Sequence, residues 1–508
     1  MLAAFVVVLV LALVGCAGVP VDVERSPSRA LADPETTTMG RLFADAAERH
    51  PGKSGFLLIR EGRPAFTSRV ALAGLAEKTL DVQYYIWEAD TTGRILAEQL
   101  VEAADRGIRV RILVDDNNLG GRDAGIAALN AHPNIEVRLF NPFAHRRARL
   151  LDFIVDFGRV NHRMHNKVMI ADGAAAVVGG RNIGDHYFGV NTEANFRDLD
   201  LFAAGPVVRE LSNSFDSFWN SRWSFPAEAV VDRAPTAEDL VTARQAMQAA
   251  IEDGSYPFPL DDDIELLRRN LHTIRDRLHW GQAEVAYDAP ETVGSAAGAG
   301  NVAHALVARL DGLQRELLIE SAYFVQRDAG VERAADLTHR GVRVRVLTNS
   351  LASNDVAAAH GGYEKTRRQL LENGVEIYEL RPDSAELKKK WSVAAGKSRA
   401  SLHTKALLLD RRTVVIGSYN LDPRSSDINT EIVLIIDDPA LAAEVGEYMD
   451  AGVRMSNSYR LSLDADGDVA WETEVNGKQV RYDTEPQTTF WKRLVADLAR
   501  ILPVESQL

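Results

Sequence analysis

The sequence predicts a duplicated α/β protein in which each of two domains carries a mixed, largely parallel sheet covered by helices. Apolar, strand-like runs occur at residues 80–87 and again at 317–324, and a helical pattern follows each run. Residues 106–114 (RGIRVRILV) match residues 340–348 (RGVRVRVLT), where a glycine ends the helix and a β-branched alternation begins the next strand. Because strand–helix–strand order with short turns favours parallel pairing, the repetition indicates two copies of one α/β design.

The remaining elements set the predicted boundaries. We assign residues 41–235 and 290–450 to the two domains, each completed by a further helix and strand. Residues 236–289 are expected to form a helical connector, because apolar residues recur at helical spacing between 264 and 278. Residues 451–508 are expected to add a hairpin turning at Asn476-Gly477 and a final helix.

The net charge of the chain limits the classes of ligand that it is expected to bind. The 508-residue chain carries a formal net charge of −14, which argues against broad nucleic-acid binding through phosphate neutralisation. No nucleic-acid partner is therefore expected. A small basic pocket built for a single phosphate remains compatible with this charge.

The N-terminus carries an apolar run and the chain's single cysteine, Cys16, so no intramolecular disulfide can form. Residues 2–14 have the length of a signal-peptide core, and the sequence LVGC ending at Cys16 resembles the lipobox of bacterial lipoproteins. The resemblance implies a signal peptide at residues 1–16, lipidation of Cys16 and a tether at residues 17–40. A cleaved signal or a short anchor is the alternative, since no Lys or Arg precedes the apolar run.

The chemistry-bearing pattern is H-x-K-x4-D followed by G-[GS]-x-N, once in each half. The first copy comprises His165, Lys167, Asp172, Gly179, Gly180 and Asn182. The second copy comprises His403, Lys405, Asp410, Gly417, Ser418 and Asn420. Each copy is expected to form a hairpin in which histidine and lysine share one strand face and aspartate stands at the turn. Glycine permits close approach of the backbone to a ligand, and the asparagine amide can donate to an anionic oxygen.

Two imidazoles and two ammonium groups suit phosphodiester cleavage. One imidazole can attack phosphorus, while the other protonates the leaving oxygen and later deprotonates the incoming alcohol. The lysines can stabilise charge on the non-bridging oxygens. No metal-ligand or nucleotide-binding spacing occurs in the sequence, so no metal and no cofactor are expected.

At these residues the chain resembles the phospholipase D superfamily, over residues 55–450. The resemblance implies that the two motifs meet at the domain interface, that Asp172 and Asp410 are structural, and that an acidic residue orients each histidine. Glu431 and Asp198 occupy suitable positions, with a surface or cap carboxylate as the alternative reading. The N-terminal histidine, His165, is the favoured nucleophile.

Residues 417–431 resemble the second-motif region of the cardiolipin synthase group of that superfamily, and residues 351–363 resemble its bacterial cardiolipin synthase C branch. The resemblance implies transfer of a phosphatidyl group from a phospholipid such as phosphatidylethanolamine to phosphatidylglycerol at a membrane surface. The sequence leaves open whether an accessory protein is a further partner. The lipobox at Cys16 implies a lipoprotein, and Ala17 directly after it favours the outer membrane, facing the periplasm. The alternatives are hydrolysis to phosphatidic acid, a nuclease of the same superfamily, and a lipid-binding protein with a dead site.

Other polar and aromatic features receive weaker interpretations. The basic segments 145–149 and 388–391 either contact anionic headgroups or form solvated loops. His360 either lines the site or is a structural histidine. Tyr84, Tyr85 and Trp87 are expected in the core.

Overall fold

The computed structural model describes residues 19, 23–232, 234, 236–252, 256–258, 265, 269, 271–293, 300–389, 391 and 394–501. The expected signal peptide and Cys16 lie outside these residues. Within them, no helix combines the length and the apolarity needed to cross a bilayer.

The predicted alternation of strands and helices is found in both halves. The strands are β1 Ser54–Ile59, β2 Thr79–Tyr84, β3 Arg109–Asp115, β4 Ile135–Phe140, β5 Val168–Ala171, β6 Ala175–Gly179, β7 Ala194–Arg197, β8 Asp200–Ala204, β9 Ser224–Pro226, β10 His279–Tyr287, β11 Glu316–Ser321, β12 Arg343–Asn349, β13 Glu376–Leu380, β14 Arg399–Leu402, β15 Lys405–Leu409, β16 Thr413–Gly417, β17 Ile432–Asp437, β18 Ser458–Leu463, β19 Val469–Val475 and β20 Lys478–Tyr482.

Helices cover these strands. They are Thr38–Glu48, Gly62–Leu75, Thr91–Asp105, Asp123–Asn130, Leu150–Val155, Phe157–Val160, Asp185–Phe188, Pro206–Trp219, Ala237–Glu252, Leu271–Asp276, Asn301–Leu310, Asp328–His339, Ala357–Glu372, Ala385–Lys388, Pro423–Asp427, Pro439–Gly452 and Phe490–Ile501. Helix Thr91–Asp105 and its counterpart Asp328–His339 are the connections between parallel strands that the repeat predicts.

The duplication is visible in the pairing of the strands. The first half runs β9–β4–β3–β2–β5–β6–β8–β1. The second runs β10–β17–β16–β15–β11–β12–β13–β18–β19–β20. Parallel pairing holds in β2–β3–β4 and in β11–β12–β13, as predicted. The mixed sheets contain more antiparallel pairs than expected, because each motif hairpin returns directly alongside its own strand.

The two halves share one sheet and one core. β1 pairs with β10 from Ser54↔Gly281 to Phe56↔His279, which joins the two runs of strands. One buried apolar cluster contains Ile170 and Leu201 from the first half together with Leu408 and Ile436 from the second. The motif strands of both halves therefore contribute to a single packed interface.

β10 corrects the predicted helical connector. Residues 279–287 form a strand that pairs with β17 along six residues, although the helix Leu271–Asp276 lies just before it. The helical spacing read from the sequence ends near Leu278, and the alternating burial beyond it is that of a strand. Residues 279–287 of the predicted connector thus belong to the sheet.

The predicted tether is also corrected. Arg25 donates from Nε to the carbonyl oxygen of Ser224 at 2.9 Å, and the amide of Ala30 donates to Asp216 Oδ2 at 2.9 Å. Ser28 is held by Asn220 Oδ1 at 3.0 Å. Residues 25–30 therefore lie against the first half, because polar groups at the end of helix Pro206–Trp219 bind their backbone.

The C-terminal hairpin and helix are found where they were predicted. β19 and β20 turn at Asn476 and Gly477, whose φ angles of 51° and 76° suit a tight hairpin. β18 pairs with β13, so these strands extend the second sheet. Helix Phe490–Ile501 packs against helix Ala357–Glu372.

Candidate active site

Each histidine strand is bound to a segment of the opposite half. The amide of His165 donates to the carbonyl of Thr430 at 2.9 Å, and the amide of Thr430 donates to Arg163 at 2.9 Å. In the other copy, β14 pairs in parallel with β7, and the amide of His403 donates to the carbonyl of Arg197 at 2.9 Å. The duplication thus produces two equivalent backbone crossings around one site.

These crossings exchange the orienting carboxylates between the halves. His165 Nδ1 lies 2.9 Å from Glu431 Oε2 and 3.0 Å from Oε1. His403 Nδ1 lies 2.6 Å from Asp198 Oδ2. The sequence placed one acidic residue in each half, and the structure pairs each with the histidine of the other half. All four side chains are buried.

The pairing fixes the tautomer of both rings. An ionised carboxylate only accepts hydrogen bonds, so Nδ1 of each imidazole carries the proton that it donates. Nε2 of the neutral ring then holds the lone pair, which a nucleophile or a general base requires.

Each carboxylate is itself fixed. The hydroxyl of Ser418 donates to Glu431 and accepts from the amide of Ile432 at 2.9 Å. Asp198 Oδ1 accepts from the amide of Leu199 at 2.8 Å. These contacts hold the two acids against the histidine rings.

The motif glycines lie so close to other parts of the protein that a side chain would not fit at these positions. A Cβ at Gly180 would lie 2.2 Å from Asp198 Oδ1, and one at Gly179 would lie 2.3 Å from Asp200 Oδ1. A Cβ at Gly417 would lie 2.1 Å from the carbonyl oxygen of Ile432. The close approach that the sequence assigned to a ligand is therefore occupied by the neighbouring strand and by Asp198.

The two motif lysines are buried beside the histidines. Lys167 and Lys405 are 1% and 3% exposed, and each ammonium group donates to the carbonyl oxygen of its own histidine residue. Burial lowers the pKa of both lysines, and more strongly that of Lys167. A phosphate between them would favour their charged form, since an anion offsets the cost of desolvation.

The surroundings of both histidines disfavour their protonated form. Burial, with the charges of Lys167 and Lys405, holds the pKa of His165 well below its usual value. Burial and Lys405 lower the pKa of His403 to about 4. Both rings are therefore neutral near pH 7 before substrate arrives.

The two orienting acids differ. Burial raises the pKa of Glu431 to about 7. Burial acts in the same direction on Asp198, but His403 and Lys405 overcome it and lower the pKa of that carboxyl. The carboxylate behind His403 is thus the more firmly ionised of the two.

Asp172 and Asp410 are at the hairpin turns, with positive φ angles of 54° and 50°. Asp172 accepts hydrogen bonds from the amides of Glu77, Lys78 and Thr79. The same three-amide arrangement holds Asp410. Both carboxylates tie their hairpin to the start of the strand that it pairs with in the sheet, β2 or β11, away from the histidine rings.

Aromatic rings line both histidines, and the sequence interpretation missed them. Tyr85 was expected in the core, yet its ring meets His165 edge-on at a centroid distance of 5.0 Å. Tyr187 and Phe196 contact His403 at 5.1 and 5.0 Å. Phe196 lies two residues before Asp198 on an extended segment, a spacing that would have placed both on one face. No comparable pattern identifies Tyr187.

The motif asparagines occupy different environments. Asn182 Nδ2 donates to the hydroxyl of Tyr187 at 2.9 Å, and its Oδ1 accepts from the amide of Ile86 at 3.2 Å. Asn420 Oδ1 is buried and has no hydrogen-bond partner within the described part of the chain. Asn182 therefore positions neighbouring groups, while Asn420 retains an unused polar atom.

The basic segment 145–149 is largely neutralised within the protein. Arg146 forms ion pairs with Asp116 and Asp123, and Arg149 pairs with Asp116 at 3.0 Å. Arg147 is the exposed member of the segment. Of the second basic segment, Lys388, Lys389 and Trp391 lie at least partly on the surface, and Lys390 falls outside the described residues.

His360 is fully buried in a polar cluster of the second half. Its Nε2 lies 3.2 Å from Glu485 and 3.4 Å from Glu364, a grouping whose geometry could hold a metal ion. Arg367 already places its guanidinium 2.7 Å from Glu485 and supplies positive charge. The structural interpretation of His360 therefore fits better than a place beside the reacting groups.

Comparison with known proteins identifies relatives that match most of the chain. A sequence profile described as "Cardiolipin synthase, PLD-like domain" matches residues 70–219 and 306–452. Cardiolipin synthase C of Escherichia coli is 40% identical over 468 residues, covering 90% of this chain and 97% of that protein. Cardiolipin synthase A of Pseudomonas entomophila is 26% identical, covering 78% of this chain and 67% of that protein.

A solved structure shares the fold. The crystal structure of phosphatidylserine synthase from Haemophilus influenzae superposes with a TM-score of 0.57 at 15% identity, covering 91% of this chain and 99% of that one. At this level of identity the likeness concerns the fold alone.

Proposed function

The chain belongs to the cardiolipin synthase family of phospholipase-D-like proteins, and from that membership we propose that it transfers a phosphatidyl group between phospholipids. The observation that carries the proposal is the pair of carboxylate-bound histidines, one from each half, flanked by two buried lysines. One such imidazole can make a covalent bond to phosphorus while the other handles the proton.

In the first step, His165 Nε2 attacks the phosphorus of a phospholipid. The bond from phosphorus to the headgroup oxygen breaks, and that oxygen takes a proton from His403 Nε2, which gains this proton from solvent when the anionic phosphate of the bound lipid, together with Asp198, stabilises the imidazolium form. The headgroup leaves as a neutral hydroxyl, and the phosphatidyl group remains on His165. Lys167 and Lys405 stabilise charge on the non-bridging oxygens.

In the second step, His403 removes a proton from the hydroxyl of an incoming alcohol. The alkoxide oxygen attacks phosphorus, and the bond to His165 breaks. When the alcohol is the terminal glycerol of phosphatidylglycerol, the product is cardiolipin. Phosphatidylethanolamine is the proposed donor, in keeping with the resemblance of residues 351–363.

The unequal acids support this division of roles. A firmly ionised Asp198 stabilises the imidazolium that His403 must form as general acid. His165 needs only a neutral ring with a free Nε2, and its pKa well below the usual value provides that ring at neutral pH. Nucleophile and general acid are therefore assigned to His165 and His403 respectively.

We also propose a membrane location. Lipidation of Cys16 would anchor the chain, and the sequence that ends at this residue supports it. The periplasmic side and the outer membrane are the proposed setting, with an accessory protein as a further partner.

A lipid-product assay tests the function. The protein is incubated with vesicles of phosphatidylglycerol and phosphatidylethanolamine, and the products are separated. Cardiolipin formed by the wild type and absent with His403→Ala is the expected result. Phosphatidic acid without cardiolipin would make the protein a hydrolase. Absence of any lipid turnover would contradict the proposal and direct the search to nucleic-acid phosphodiesters.

A further inference from the structure

Two helices expose apolar side chains. On helix Leu150–Val155, Leu150 and Ile154 are 79% and 78% exposed, and their spacing of four places them on one face. Leu151, Phe153, Val155 and Phe157 add to this surface, which we call the first patch. Exposed apolar surface of this kind on a folded protein marks an interaction site.

The second patch lies on helix Phe490–Ile501. Trp491, Val495 and Leu498 are 71%, 52% and 55% exposed, and their spacing of four and three residues places them on one face. Phe490 lies beside them and is 64% exposed. The helix is held to the protein on its other side, where Ala496 is buried.

The first patch adjoins the strand of His165. The ring of Phe153 packs on Phe143 at a centroid distance of 5.6 Å. The guanidinium of Arg163 lies 4.5 Å from the centroid of that same Phe143 ring. Arg163 is two residues before His165, so a single aromatic ring separates the patch from the histidine strand.

The second patch adjoins the motif of the other half. Lys492 Nζ donates to the carbonyl of Ala352 at 3.3 Å, and the same loop carries Asp355, which accepts from the hydroxyl of Tyr323 at 3.0 Å. Tyr323 lies two residues after Ser321, which pairs with Lys405 between β11 and β15. The loop that binds Lys492 is therefore linked through Tyr323 to the strand beside the active-site lysine.

We propose that the two patches insert together into the interface of the bilayer that supplies the phospholipid. This inference rests on the proposed function and names the surface through which the site meets its substrate. Each patch adjoins one half of the site, so a bilayer that receives both patches presents its lipid beside both motifs, whereas a partner protein covering both patches would keep the lipid away. Arg147, whose side chain is 89% exposed and lies 3.7 Å from Asp232, places a cation beside the first patch that anionic headgroups can contact, although the chain's net charge is −14.

Site-specific fluorescence tests the contact on the full chain. Because the sequence has one cysteine, Cys16→Ser gives a background in which Ile154→Cys or Leu498→Cys carries a single environment-sensitive dye. Val241→Cys is the matched control, because Val241 is an exposed valine (56%) on helix Ala237–Glu252, which packs on helices Thr91–Asp105 and Asp123–Asn130.

With vesicles of phosphatidylglycerol and phosphatidylethanolamine that contain nitroxide-labelled lipid, dyes at 154 and 498 should shift to the blue and be quenched. The dye at 241 should do neither. All labelled chains share one N-terminus, so a difference between positions reports local contact. No quenching at 154 or 498, or equal quenching at 241, would overturn the inference.

Turnover supplies a second measurement. The double substitution Leu150→Asn and Ile154→Asn should reduce turnover of vesicle lipid by roughly ten- to a hundredfold. This is the loss of membrane affinity expected when two apolar side chains no longer insert into the bilayer. Turnover of dispersed short-chain phosphatidylglycerol should be unchanged, and Val241→Asn should alter neither activity. An equal loss on both substrates would contradict the membrane role. If the wild type turns over no lipid, the proposed function fails, while the fluorescence result still decides the inference.

Discussion

Asp198→Asn should damage the enzyme more than Glu431→Gln, although both changes replace an acid by its amide. Asp198 Oδ1 accepts from the amide of Leu199 at 2.8 Å, and Oδ2 faces His403 Nδ1 at 2.6 Å. In asparagine, the NH2 group cannot face the Leu199 amide, because two donors would oppose each other. The NH2 group therefore faces His403 and forces the ring to carry its proton on Nε2.

Glutamine at 431 escapes this constraint. Both oxygens of Glu431 lie within 3.0 Å of His165 Nδ1, and its other side-chain hydrogen bonds come from the hydroxyls of Ser418 and Ser425, which can rotate to accept instead of donate. The glutamine oxygen can then keep the correct tautomer of His165.

The magnitudes follow from this difference. Loss of a hydrogen bond to a charged group costs about 1.5–3 kcal/mol, so Glu431→Gln should lower kcat by roughly 10- to 150-fold. A reversed tautomer in a serine-protease triad costs about 10⁴ in kcat, so Asp198→Asn should lose roughly 10³- to 10⁴-fold.

Cardiolipin formation on mixed vesicles measures kcat, and thermal unfolding verifies that both variants fold. A loss in Glu431→Gln equal to or larger than that in Asp198→Asn would refute the tautomer argument and the crossed pairing on which it rests.

Four further outcomes are expected. His165→Ala and His403→Ala should each abolish lipid turnover. Only His403→Ala should regain the first step on a diester with a nitrophenolate leaving group, because that group leaves without a proton. Recovery in His165→Ala would reverse the roles of nucleophile and general acid. Asp172→Asn should lower the Tm more than Asp410→Asn, because the carboxylate of Asp172 is fully buried and that of Asp410 is not, and turnover per folded molecule should be kept in both. Burial disfavours the charged form of His360, but its carboxylate neighbours overcome this and raise the pKa of His360 to about 9. The stability that His360 contributes is therefore complete below about pH 6.5 and is lost as the pH rises through about 9. His360→Gln should lower the Tm at about pH 6 and have little effect above about pH 9, and a loss of Tm that does not depend on pH would contradict this. Incubation with EDTA should leave lipid turnover unchanged, and loss restored by a divalent ion would refute catalysis by the histidines and lysines alone.

Much of the fold could be predicted from the sequence because its signals are local. The repeated glycine-terminated helices and β-branched strands define β2–β3 and β11–β12 without reference to the rest of the chain. The stretch 279–287 and the segment 25–30 were assigned wrongly. Their conformation depends on β17 and on helix Pro206–Trp219, which are distant in the chain and have no signature in the segments themselves.

The sequence by itself identified the proposed reacting groups. Two imidazoles and two ammonium groups at fixed spacing suit phosphodiester chemistry, and their repetition indicates that they are used together. Only the tertiary structure decided that Asp198 serves His403 and Glu431 serves His165, and that Tyr85 contacts a histidine. The reason is that two near-identical copies carry no information about which acid meets which ring. That choice is made where the strands of one half hydrogen-bond to those of the other, in contacts that exist only once the interface has formed.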